Sequence, residues 1–148
     1  MIALVFFSAL VTLAASIGAY FEPGEWYNLL TKPRWTPPNW LFGPVWTTLY
    51  IMICLAGWQA WQKDYRLSPP VILWGAQLFL NAAWSGLFFG MHRPGLALIC
   101  ILLLLGCIIG FIQSTYQNNK RAALLFIPYL IWILFATALN FQIWRLNP

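Results

Sequence analysis

Charge is what this chain has least of. Only 7% of its 148 residues are charged, and three are acidic: Glu22, Glu25 and Asp64. A soluble domain carries about 25% charged residues. Eight basic and three acidic side chains cannot keep a chain that is 61% hydrophobic in water as a monomer. The same figures exclude intrinsic disorder, which requires low hydrophobicity and high charge. Histidine is nearly missing too, with His92 alone beside Arg93 in a short polar break. Cys54, Cys100 and Cys107 lie inside apolar runs without a CxxC or Cys/His spacing, so they read as small hydrophobes. No acid, histidine or lysine falls in the middle of an apolar run, which argues against a proton relay or an ion-coupled transporter. No Ser/His/Asp set, metal spacing or phosphate loop is present. Acid–base and metal chemistry are therefore disfavoured, and any redox or photochemistry would have to use tryptophan. The basic residues stand singly or in pairs where the apolar runs break, which argues against nucleic acid as a partner.

What the chain does have is apolar length. At about 20 residues per helical crossing, 148 residues hold four to six spans. Five are legible, at about 2–20, 40–61, 71–91, 95–116 and 122–144. The expectation is an all-α integral membrane protein, a bundle of five transmembrane helices in a single domain over 1–148. The first run lacks the basic start and short core of a secretory signal and reads as a retained span. Five spans put the termini on opposite sides of the membrane. Lys63, Arg66, Lys120 and Arg121 fall on one side, and Lys32, Arg34, Arg93 and Arg145 on the other. Four against four leaves the positive-inside bias without a preference. Between the first two spans, Pro23, Pro33, Pro37 and Pro38 forbid a long helix. Trp26, Tyr27 and Trp35 make this loop too aromatic for a solvated linker, and it should fold back as a lid over the helix ends.

Helical periodicity shows which faces carry chemistry. In the third span Gln77, Asn81, Trp84 and Phe88 share one stripe, with Gly75, Phe79, Ala82, Gly86 and Gly90 opposite. An amide in hydrocarbon must find a partner, so Gln77 and Asn81 face the bundle or a cavity. They serve either as interhelical hydrogen bonds or as groups that orient a ligand. The small residues Ala82, Gly86 and Gly90 suit close helix packing and are expected to form a homodimer seam. Gly106 and Gly110, or packing within one chain, are the alternatives. Seven of the ten tryptophans sit near span ends, where interfacial belts explain them. Trp84 and Trp132 sit halfway down their spans, and Trp46 about two turns in. Trp46 shares a face with Tyr50, Ile53 and Gly57, and Trp132 with Ala136, Leu139 and the neighbouring Asn140. Stacked aromatics with a few amides and small residues suit a flat, mostly apolar ligand. A purely aromatic core is the competing reading.

Several runs resemble the TspO/translocator-protein family, which includes bacterial tryptophan-rich sensory proteins and the mitochondrial peripheral-type benzodiazepine receptor. They are Trp26-Tyr27, Lys32-Pro33-x-Trp35-x-Pro37-Pro38-x-Trp40, and Gly43-Pro44-x-Trp46-x-x-Leu49-Tyr50. The likeness continues in Gln77-Leu78-x-x-Asn81-x-x-Trp84, Phe88-Phe89-Gly90 and Pro128-Tyr129-Leu130-x-Trp132-x-x-x-Ala136-Thr137-x-Leu139-Asn140. This resemblance implies a five-helix bundle, usually dimeric, with a pocket under the first loop. It implies a porphyrin ligand (protoporphyrin or haem) with no required cofactor and no metal. Carried over by position, the pocket would be Ser16, Ala19, Tyr27, Trp46, Asn81, Trp132, Ala136 and Leu139, with the mid-span Trp84 beside the ring. The leading expectation is tetrapyrrole sensing or regulation. Light-dependent porphyrin degradation, with Trp46 and Trp132 as the catalytic pair, and passive transport are the alternatives. The segment Leu139–Arg145 lacks the tyrosine usual in the family's sterol motif, which weakens the case for a sterol. Leu96 replaces an aromatic of the mitochondrial members, and the chain lacks a basic C-terminal tail. The first point implies weak affinity for the family's synthetic drugs, and the second leans towards a bacterial membrane.

Overall fold

The computed structural model describes residues 2–21 and 23–148; Met1 and the acidic residue Glu22 lie outside them. Among the described residues, five helices are long and apolar enough to cross a membrane. The first, α1, spans Ile2–Tyr20, and the first loop carries a short helix, α2, at Glu25–Leu29. A 3-10 turn at Asn39–Leu41 runs into α3, Phe42–Asp64. Helix α4 covers Pro69–Ser85 and continues through a π-helical turn at Gly86–Gly90. Helices α5, Pro94–Tyr116, and α6, Lys120–Leu146, complete the bundle.

Helices α3, α4, α5 and α6 each run past the apolar segment by a turn or less at one end or both, where polar caps and prolines set the boundary. Tyr65 ends α3 in a left-handed conformation (φ 49°), its N–H returning to the Trp61 carbonyl. Pro69 and Pro70 occupy the first turn of α4, where a missing N–H costs nothing. Asn119 caps α6 by accepting from the Ala122 N–H.

Helix order around the bundle is not chain order. Helix α5 packs along both α4 and α6, α6 along α3, and α1 closes the ring between α3 and α4. Phe111 and Phe126 stack at 4.0 Å between α5 and α6. Trp74 of α4 crosses α3 at Gly57, donates from Nε1 to the Ile53 carbonyl at 2.8 Å, and meets Phe7 of α1 edge-on. Outward-facing Phe79, Ile72, Ile51 and Val5 are exposed, a pattern suited to hydrocarbon rather than water. Of the stripe expected to meet a second copy, Gly75, Phe79 and Gly90 are exposed and Ala82 and Gly86 half-buried. Ala82 packs on the central core, and Phe21 lies over Gly86 and Gly90.

Candidate functional site

The first loop lies against the end of the bundle formed by the start of α3 and the ends of α4 and α6. Trp26 stacks on His92 at 4.3 Å, and Trp35 meets Phe135 of α6 edge-on at 5.6 Å. Asn147 grips Thr31 twice, accepting from its N–H at 2.9 Å and donating to its carbonyl at 3.0 Å. Lys32 donates to the carbonyls of Tyr27, Asn28 and Leu30 while its ammonium lies over the Tyr27 ring. Tyr27 is only 3% exposed, and burial pushes its phenol above the ordinary value, so it stands as a neutral hydroxyl.

Beneath this loop is a cavity of about 580 Å³. That volume falls in the range of about 300–1,000 Å³ typical of small-molecule sites. Trp46 comes from α3, Trp84 from α4 and Trp132 from α6, and all three line it. Phe88 stacks on Trp84 at 5.2 Å, while Phe42 and Phe135 flank Trp132. Ala19, Tyr27, Ala136 and Leu139, expected from the sequence, also line the cavity. No Asp, Glu, Lys, Arg or His lines it among the described residues.

Two expected residues lie elsewhere. Ser16 faces outward, its hydroxyl donating to the Thr12 carbonyl of its own helix. Asn81 is buried behind the wall, in a chain of hydrogen bonds. Tyr50 donates to its Oδ1 at 2.9 Å, and its Nδ2 donates to the Tyr129 oxygen at 3.0 Å. Tyr129 in turn donates to Gln77 Oε1 at 2.9 Å. Thus Tyr50, not Asn81, brings this network to the cavity wall. A similar bracket sits at the other side, where Trp84 Nε1 donates to Asn140 Oδ1 and Asn140 Nδ2 to the Pro94 carbonyl. Leu96, the site of a family aromatic, is exposed on α5 and outside the lining.

Phe89, Ser85 and Phe135 also line the cavity, and helical periodicity does not single them out. Phe89 is explained by the π-helical turn, in which the Met91 N–H reaches back five residues to the Gly86 carbonyl at 2.8 Å. Widening the turn brings Phe88 and Phe89 to the cavity together. Gly86-x-x-x-Gly90 next to Phe88-Phe89 was the signal available for it.

A ring of spanning helices around an aromatic cavity makes this a multi-pass α-helical membrane protein. The TspO/MBR family model matches residues 4–145, and the chain belongs to that family. Its relatives include the tryptophan-rich protein TspO of Chlorobaculum tepidum, 43% identical, with 86% of this chain and 83% of that protein covered. Human translocator protein is 40% identical, covering 92% of this chain and 87% of its own. Protein CrtK of Rhodobacter capsulatus is 37% identical, covering 91% and 86%.

Proposed function

We propose that the cavity binds a porphyrin or a similar flat, mostly apolar ligand, and that this binding serves tetrapyrrole sensing or regulation. The observation that carries the reading is the convergence of Trp46, Trp84 and Trp132 from three helices on one cavity without a charged wall residue among those described. Such a wall offers ring faces for stacking and a few neutral hydroxyls and amides for the polar edge. Tyr50, Ser85 and Asn140 are among the polar groups of the wall that can meet that edge. The first loop acts as the lid, held shut by the Trp26–His92 stack and the Asn147 grip on Thr31. Among the described residues no carboxylate, imidazole or amine lines this wall. The Trp46 and Trp132 pair makes light-driven breakdown of the bound porphyrin the second reading.

Titration of the detergent-solubilised protein with protoporphyrin in the dark tests the binding. Quenching of tryptophan fluorescence is expected, and Ala136→Phe, which fills the cavity, is expected to weaken affinity at least about tenfold, or about 1.4 kcal/mol. Undiminished affinity in that variant, with its helices intact, would move the site elsewhere. Illuminating the complex beside a dark control and free tryptophan then separates holding from breakdown.

A further inference from the structure

Gly18 leaves a notch in the cavity wall where α1 passes between α3 and α4. A Cβ at this glycine would stand 3.6 Å from the Tyr50 hydroxyl oxygen and 3.7 Å from Ser85 Oγ, with no other atom of a neighbouring helix within 4 Å. Three helices thus meet at two hydroxyls in an otherwise mostly apolar wall. The two hydroxyls differ in what they have left to offer. Tyr50 gives its proton to Asn81 Oδ1 at 2.9 Å, and Asn81 is held in turn by its bond to Tyr129. A hydroxyl has one proton and two lone pairs, so Tyr50 keeps only acceptor capacity for a ligand. Ser85 lines the cavity without a hydrogen bond among the described residues, and its Oγ keeps accessible surface, as the sealed Ser68 Oγ does not. It can donate or accept. Trp46 lies beside Tyr50, ring centroids 5.3 Å apart, so a flat ring against Trp46 has its rim next to the notch.

We propose, on the reading of the cavity as a porphyrin site, that this notch is a subsite for a neutral hydroxyl on the rim of the bound ring. Tyr50 and Ser85 are the residues that set specificity for it. The ligand hydroxyl donates to the Tyr50 oxygen and accepts from Ser85 Oγ–H, so both wall groups and the ligand group are paired. A carbonyl of similar size can accept from Ser85 but turns its lone pairs against those of Tyr50. A carboxylate fares worse, because no cation among the described wall residues offsets the loss of its water. Acidic groups of the ligand therefore point away from the notch. A vinyl group fits by size and leaves the Ser85 hydroxyl unpaired.

Three porphyrins that differ only at two rim positions test the proposal: protoporphyrin with vinyl groups, haematoporphyrin with 1-hydroxyethyl groups and diacetyldeuteroporphyrin with acetyl groups. Tryptophan quenching in the dark reads each affinity for the detergent-solubilised full chain. Hydroxyethyl and acetyl groups both lose water on burial, so the ratio of those two affinities isolates the ligand's hydrogen-bond donor. Haematoporphyrin is expected to bind about tenfold more tightly than the diacetyl porphyrin. Ser85→Ala and Tyr50→Phe are each expected to bring the ratio towards parity. Gly18→Ala keeps the Tyr50–Asn81 bond and places a methyl group over both hydroxyls at ordinary contact distance. It too is expected to bring the ratio to parity, with circular dichroism confirming intact helices. Equal affinities for the two porphyrins in the original chain would overturn the proposal, as would a tighter diacetyl complex or a preference that survives Gly18→Ala. If protoporphyrin still binds and Ala136→Phe still weakens it, such a result removes the notch alone. Absence of quenching by all three porphyrins removes the cavity reading and the notch together.

Discussion

Asn81 joins Tyr50 of α3 to Tyr129 of α6 through one amide, so its removal is felt in two helices at once. Asn81→Leu takes the acceptor from the Tyr50 hydroxyl and the donor from the Tyr129 oxygen in a buried site, leaving only the Tyr129–Gln77 bond, a loss of about 1–3 kcal/mol. The expected outcome is a lowered melting temperature in the ligand-free protein and a similar drop with protoporphyrin present. A loss confined to affinity would instead make Asn81 a ligand contact. Gly57 is the second sensitive residue. A Cβ at this position would run into the indole of Trp74, which is 2% exposed and tied to the Ile53 carbonyl. Alanine gains up to about 1 kcal/mol in helix propensity. Overpacking costs about 1–3 kcal/mol, and breaking the Trp74 hydrogen bond adds to that. Gly57→Ala is therefore expected to lower the melting temperature, and thermal unfolding in detergent reads it directly. Periodicity alone placed Gln77, Asn81, Trp84 and Phe88 on the inner face. It could not distinguish a residue on the cavity wall from one a layer behind it. That difference is set by Tyr129, which reaches Asn81 from a helix 48 positions away in sequence.

At the scale of elements, the π-helical turn after α4 decides much of the cavity's shape. Hydropathy locates a span but not a change of register within it, so helical periodicity placed Phe88 on the inner stripe and left Phe89 off it. The five spans themselves were legible because each is a long apolar run with a polar or proline-rich break on either side. The glycines of these helices differ in what surrounds them. A Cβ on Gly90 would lie 2.7 Å from the Phe21 ring, whereas a Cβ on Gly106 meets nothing within 4 Å. Phe21 also lines the cavity. Gly90→Ala is thus expected to push that ring aside, lowering both the melting temperature and porphyrin affinity. Gly106→Leu is expected to leave stability within about 0.5 kcal/mol, as for an exposed substitution without a structural role. Side-by-side melting curves of the two variants check the contrast. Small-xxx-small spacing read from sequence could not separate them, because the residue filling one glycine groove comes from the loop after α1.

For the whole molecule, binding and stability are linked. A ligand that recognises only the folded bundle stabilises it by about 2.7 kcal/mol at a hundred times its Kd. Protoporphyrin is expected to raise the melting temperature of the intact chain and to leave that of Ala136→Phe unmoved. Equal shifts in the two would show that the stabilisation arises outside the cavity. The circular order of helices carries a further consequence for biosynthesis. Trp132, Ala136 and Leu139 stand on α6, which is made after the other four spans and meets α3, whose other ring neighbour is α1. A nascent chain that has delivered only four spans to the bilayer has an unclosed ring and one wall of the pocket missing. No porphyrin can be held by such an intermediate in the way the finished bundle would hold it. Occupancy of the pocket would thereby report that synthesis has run through α6.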